Sequence, residues 1–199
     1  MFVKSLMKIL VSFILTGSFL FCPITVFQVE ASNHSTWQRL VTRYTIICYQ
    51  NLEDLKKFDD KIDFSPGEWG IKSLFSSSGS KQVKGKLARK IDALFEKVQE
   101  ILDMHKRMKK VRINIYKSKK QLQDAYYKIY KKKCRIRSWY LFERKTIYSN
   151  VDDLFEGMLA HEMAHHISDH YLMIRPPRAT AEILARYVDK HLFDKVKKY

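Results

Sequence analysis

Residues 161–165 of this chain form the pentad His161-Glu162-Met163-Ala164-His165, which places two histidines four residues apart. Histidines four residues apart on a helix point to the same side, about one turn from each other along the axis. Their ring nitrogens can then reach one tetrahedral metal ion, and zinc, which binds nitrogen at ~2.0–2.1 Å, is the expected metal. Glu162 lies ~100° around the helix from His161, so its carboxylate flanks the metal without binding it. The alternative is a surface helix that carries two histidines by chance.

A carboxylate beside a metal-bound water can take its proton and pass it to a leaving amine. The pentad resembles the H-E-x-x-H signature of the zincin metallopeptidases. This resemblance implies that His161 and His165 are metal ligands and that Glu162 is the general base. Asn150 and Asp153 form a pair typical of a helix start, so the helix is expected to begin at Asn150.

A second helix is expected over residues 180–193, after a turn forced by Pro176 and Pro177. It carries Glu182-Ile183-Leu184-Ala185, which is similar to the E-x-x-A pattern of the gluzincin zincins. The resemblance implies that Glu182 is the third zinc ligand. The small side chain of Ala185 would let the two helices approach each other.

Three other donors lie near the pentad, and helix geometry argues against each. Asp169 stands two turns beyond His161, ~12 Å along the axis. His166 and His170 point ~100° or more away from His165. Glu182 therefore remains the preferred third ligand.

Supporting residues are less clear from the sequence. Many gluzincins place an acidic residue four positions after the third ligand, where it holds a ligand histidine. This chain has Arg186 there, and Asp189 is only a weak substitute by position. Candidates for stabilising the oxyanion are Tyr187, Tyr171 and His191, although packing is the commoner role of such tyrosines.

The N-terminal residues resemble an export signal. Two lysines precede the apolar residues 9–27, and Val29 and Ala31 stand at −3 and −1 of a signal-peptidase site. The pattern predicts a signal peptide over residues 1–31, cleavage before Ser32 and an exported protein, periplasmic or secreted. The alternative is an uncleaved membrane anchor, since the apolar run is nearly long enough to span a bilayer.

The chain is strongly basic, with 37 Lys and Arg against 21 Asp and Glu and a net charge of +16. Such a charge favours anionic partners, among them the surface of a cell envelope. The lysines are spread over several elements and no nucleic-acid-binding motif is visible, so no nucleic acid is expected as a partner. A well-solvated basic surface is the simpler interpretation.

Two cysteines follow the predicted cleavage site, Cys48 and Cys134. An oxidising compartment would allow them to pair, and buried free thiols are the slightly preferred alternative. Neither has the C-x-x-C spacing of a metal or redox site.

Periodicity predicts one domain over residues 32–199, with a flexible loop at 65–85. An antiparallel hairpin is expected around Glu143-Arg144-Lys145, and its first strand, 137–141, is expected at the edge of the sheet. The expected strands are 42–49, 111–116, 136–142 and 146–149, and the expected helices are 51–60, 86–106, 119–130 and 180–193 besides the pentad helix. The resemblance implies an α+β, zincin-like fold, in which helices back a small mixed β-sheet.

The preferred function is an exported zinc metallopeptidase that hydrolyses peptide bonds of a peptide or protein substrate, with a zinc-activated water and Glu162 as general base. One alternative is a non-catalytic zincin-fold binding module of the cell envelope. Another is a hydrolase that applies the same metal chemistry to a different bond. Glu162 favours an enzyme, since a pure binder has no need of that carboxylate.

Overall fold

The computed structural model describes residues 37–64 and 80–194. These residues form a mixed α+β fold with one five-stranded mixed sheet and five α-helices. The strands are β1 (Gln38–Val41), β2 (Thr45–Tyr49), β3 (Val111–Tyr116), β4 (Ser138–Leu141) and β5 (Thr146–Asn150). The helices are α1 (Leu52–Lys61), α2 (Ser80–Leu102), α3 (Lys119–Tyr130), α4 (Glu156–Tyr171) and α5 (Arg178–His191).

The strand order across the sheet is β1-β2-β3-β5-β4. The central strands β2, β3 and β5 are parallel, while β1 and β4 pair antiparallel at the two edges. Parallel neighbours require a crossover connection, which α1 and α2 supply between β2 and β3. The expected hairpin is confirmed: β4 and β5 are joined through a short 3-10 turn, and β4 lies at the edge.

One face of the sheet carries the hydrophobic core. Ile47, Ile113 and Ile147 face one another across the register of the three parallel strands, and all are fully buried. Leu159 and Met163 of α4 are fully buried in the same core. Burying each such side chain contributes roughly 1.5–3 kcal/mol. This packing fixes α4, and with it the pentad, against the sheet.

The opposite face is aromatic. The ring of Trp139 in β4 stacks on Tyr148 of β5 at 4.5 Å between centroids and meets Tyr126 of α3 edge-on at 5.2 Å. Side chains alternate along a strand, so Trp139 points away from the helix that its neighbour Tyr140 contacts. The edge strand is thus packed on both of its faces.

Several of the expected boundaries are wrong, among them the helix expected over 86–106, which is α2 and ends at Leu102. Residues 42–49 form a turn and β2 rather than one strand, because Asp92 of α2 accepts hydrogen bonds from the Thr42 hydroxyl (2.6 Å) and the Arg43 amide (3.0 Å). The pentad helix begins at Glu156, not at Asn150. The buried Asn150 side chain instead bonds the Asp152 amide and the Asp153 carboxylate, so it shapes a turn at the end of β5.

Other expectations fall partly outside the described residues. Helix α2 begins at Ser80, so the end of the 65–85 segment is helical, and residues 65–79 are not described. The predicted signal peptide also lies outside the described residues. Within 37–64 and 80–194, no helix is long and apolar enough to cross a membrane. Cys48 and Cys134 are both free thiols.

Candidate metal centre

Helices α4 and α5 pack against each other through small side chains. Ala181 is buried and Ala185 is fully buried, as the sequence led us to expect for Ala185. Arg178, Glu182 and Asp189 share that side of α5, because their spacings from these alanines are those of one helix face. The close approach of the helices therefore brings polar groups of α5 to the histidines of α4.

The structure brings the ligand atoms of His161, His165 and Glu182 within 4.8 Å of one another. The two carboxylate oxygens of Glu182 lie 3.7 Å from His161 Nε2 and 3.7 Å from His165 Nε2. Two ligand atoms of a tetrahedral zinc ion, each ~2.0–2.1 Å from the metal, are about 3.3–3.4 Å apart. The two 3.7 Å separations exceed this by a few tenths of an ångström, and the 4.8 Å limit on the whole group exceeds it by about 1.4 Å, so the side chains would have to close around a zinc ion. Metal binding by these residues stays a prediction.

His165 is in the protonation state that a metal-binding histidine requires. Burial, followed by the neighbouring His161, lowers the pKa of His165 to about 4. Its imidazole is therefore neutral at pH 7, which is the form that binds a metal. The carboxylates of Glu162 and Glu182 share the site, and their mutual repulsion helps to raise the pKa of Glu162. A cation between them would relieve that repulsion.

Asp189 orients one of the histidines. Its Oδ2 lies 2.9 Å from His161 Nδ1, while the other ring nitrogen, Nε2, faces Glu182. A carboxylate can only accept, so Nδ1 donates and Nε2 is left with a free lone pair. Arg186, at the position where gluzincins often have the supporting acid, is exposed. The supporting carboxylate is thus two turns beyond Glu182 rather than one.

Replacing Asp189 by alanine is expected to weaken zinc binding about 10–100-fold, because His161 would lose the group that fixes its tautomer and ring orientation. The affinity is measured by competition with a fluorescent zinc chelator. Asp194→Ala is the matched control, since Asp194 bonds His191 at 2.6 Å outside the ligand group. Equal affinities for both variants would show that Asp189 has no part in metal binding.

Glu162 lies between α4 and the edge strand. It is only 8% exposed, and burial raises its pKa to about 7, while the charge of His161 and the polar groups of the Ser138 side chain and the Tyr140 backbone oppose the rise. A carboxyl group with a pKa near the working pH can both accept and release a proton. Its place beside the ligand group, held by β4, gives the site a candidate base.

The other nearby donors lie apart from this group. Asp169 pairs with Arg175 at 3.3 Å. His166 Nε2 donates to the Lys109 carbonyl (3.1 Å), so its Nδ1 accepts from the Tyr140 hydroxyl (3.1 Å). That hydroxyl in turn accepts from His170 Nε2 at 3.0 Å. These histidines hold the edge strand against α4 instead of facing the ligand group.

A cleft of about 740 Å³ runs along the free edge of β4. The ligand group and Glu162 form part of its wall, and Ser138, Trp139 and Tyr140 line it from the strand. Tyr126, Tyr130 and Cys134 extend it toward α3. The cleft therefore has a polar region at the ligand group and an aromatic region across the edge strand.

The oxyanion candidates from the sequence are not brought to this cleft. Tyr187 packs on His191 with 4.3 Å between ring centroids, and neither these residues nor Tyr171 are among the described residues that line the cleft. Two cations that the sequence did not single out, Arg175 and Arg178, do line it. The spacing of Arg178, four residues before Glu182, was the available signal.

No protein-family model matches this chain, and no curated protein or solved structure shows a significant similarity to it. The resemblance to zincins is therefore carried by the pentad, the downstream glutamate and the geometry described above. All three are properties of this chain's own residues.

Proposed function

We propose that this protein is an exported zinc metallopeptidase. One observation carries the proposal: a donor set of two histidines and one glutamate lies beside a buried carboxylate and the free edge of a β-strand, in a single cleft. Each part matches a requirement of peptide hydrolysis, namely a metal, a base and a surface that holds an extended backbone. Export is proposed from the predicted signal peptide over residues 1–31.

The donor set favours zinc. Two imidazole nitrogens and one carboxylate are the three protein ligands common in catalytic zinc sites, and they leave one position open. When bound there, zinc would polarise the scissile carbonyl and lower the pKa of a coordinated water to ~7. Asp189 keeps His161 Nε2 available as a ligand.

Glu162 would act as the base. Burial raises the pKa of Glu162 to about 7 when no metal ion is bound, and a zinc ion beside the group would favour its charged form, which can accept the proton of the attacking water. The same group can release the proton to the leaving amine. The polar groups of Ser138 and the Tyr140 backbone on β4 lie close enough to the carboxyl group to favour its charged form.

The edge strand supplies a place for the substrate backbone. The Asn150 amide donates to the Arg137 carbonyl (3.4 Å), so alternate residues from Arg137 onward bond to β5. Ser138 and Tyr140 then turn their backbone groups toward the free edge. The Tyr140 backbone lies beside Glu162, and the outward-facing groups of Ser138 and Tyr140 would pair with an extended peptide by strand addition.

The proposal is tested by metal analysis of the purified mature protein together with a peptide-library cleavage assay. We expect one zinc ion per chain, and cleavage that is lost with a chelator and restored by zinc. Mass spectrometry of the products identifies the bond. A zinc-loaded protein that binds peptides without cleaving any of them would instead favour the non-catalytic binding module.

A further inference from the structure

Arg178 occupies a distinctive place in the cleft. It is the first residue of α5, four residues before Glu182, and both residues line the cleft together with Ala181. Residues four apart on a helix are neighbours on one face, ~6 Å apart along the axis. The guanidinium therefore belongs to the same wall as the ligand group, about one helical turn along it.

This guanidinium has no partner within the described part of the chain. It forms no ion pair or hydrogen bond there, and the residue is exposed. The other cleft arginine is engaged on three sides: Arg175 contacts Asp169 (3.3 Å), Glu143 (4.0 Å) and the Phe142 ring (4.1 Å). Arg178 is thus the cleft arginine that remains available to a ligand.

Helix stability does not account for an arginine at this position. A cation in the first turn of a helix faces the positive end of the helix dipole, which is unfavourable by roughly 0.3–1 kcal/mol. No acidic residue stands in the first turn of α5 to offset it. Arg178 lines the cleft without a stabilising role in its own helix, so it is placed to interact with what enters the cleft.

We propose that Arg178 binds a carboxylate of the peptide substrate. The inference rests on the proposed peptidase function and names its substrate class: peptides with an acidic side chain or a free C-terminal carboxylate close to the scissile bond. A guanidinium matches a carboxylate through two parallel hydrogen bonds. An extended peptide advances ~3.3 Å per residue, so one helical turn from the ligand group places the carboxylate within about two residues of the bond.

The test uses binding, which does not require turnover. Zinc-loaded Glu162→Gln protein is titrated by fluorescence anisotropy with labelled octapeptides that carry Glu or Gln at each position in turn, and with free or amidated C-termini. We expect a carboxylate at one position, or the free C-terminus, to tighten binding about tenfold or more. The position series and the amidated series separate an acidic side chain from a C-terminal carboxylate.

The same titration is repeated with Arg178 replaced. Arg178→Gln should abolish the preference, and Arg178→Lys should retain only part of it, because lysine cannot form the paired hydrogen bonds. Arg186→Gln is the matched control, an exposed arginine of the same helix that does not line the cleft, and should keep the full preference. No preference in the parent protein, or an undiminished preference in Arg178→Gln, would overturn the proposal.

Cleavage by the wild-type protein is measured in parallel, so that failure of the proposed peptide hydrolysis can be distinguished from failure of the proposed carboxylate binding by Arg178. A carboxylate preference without any cleavage would disprove peptide hydrolysis and keep the carboxylate site. Cleavage of the peptides without any carboxylate preference would support peptide hydrolysis and disprove the carboxylate site. If Arg178→Gln lowered kcat equally for charged and uncharged peptides, Arg178 would act on the scissile carbonyl, and carboxylate recognition would be disproved.

Discussion

Replacing Glu162 by glutamine is expected to leave zinc bound and to reduce peptide hydrolysis about 10²–10⁴-fold. The amide has nearly the size of the carboxyl group but is a far poorer base. Glu162 is not one of the three grouped ligand residues, so the donor set stays intact. The Ser138 hydroxyl donates to the Tyr148 carbonyl at 3.1 Å in either case, so the edge strand beside the substituted side chain should keep its structure.

The measurement is kcat/KM on a cleaved peptide, with zinc content determined on the same sample. Glu156→Gln is the matched control, since Glu156 is on the same helix but accepts a hydrogen bond from the Asp63 amide at 3.2 Å outside the cleft. It should retain wild-type turnover. Wild-type turnover in Glu162→Gln with zinc present would show that another group is the base.

The main elements of the fold could be predicted because their signals are local. The bounds of β3 and α3 match the expected ranges, since alternation and helical spacing lie within a few residues. The helix expected over 51–60 is α1, and Asn51 caps it, with its side chain accepting from the Asp54 amide at 2.8 Å. The turn at Thr42 could not be predicted, because it is held by Asp92, which lies 50 residues away.

The candidate site likewise combines features that local sequence patterns predict with features that depend on contacts between distant residues. The pentad could be found because helix periodicity relates residues within one or two turns, and Glu182 could be found because it stands in an E-x-x-A pattern similar to that of the gluzincins. The position of Asp189 beside His161 depends on how closely α5 packs on α4, which the spacing of residues within one helix does not give. The contact of Glu162 with β4, which holds the carboxyl group, likewise depends on tertiary packing.

Replacing Glu182 by alanine is expected to weaken zinc binding by about an order of magnitude or more and to abolish hydrolysis. Two histidines would remain, one protein ligand short of the usual three in a catalytic zinc site. The Glu182 side chain is 37% exposed, so its truncation should leave the fold intact. Zinc affinity is measured by chelator competition, and the fold is checked by circular dichroism.

Asp169→Ala is the decisive comparison, because Asp169 is the other carboxylate of the region that could be taken for a ligand. Its carboxylate pairs with Arg175 at 3.3 Å, away from the histidine nitrogens, so its loss should leave zinc affinity unchanged. Arg175 is itself half exposed and can be solvated when Asp169 is removed. Unchanged zinc affinity in Glu182→Ala, or a loss confined to Asp169→Ala or His170→Ala, would overturn the assignment of Glu182 and with it the gluzincin-type site.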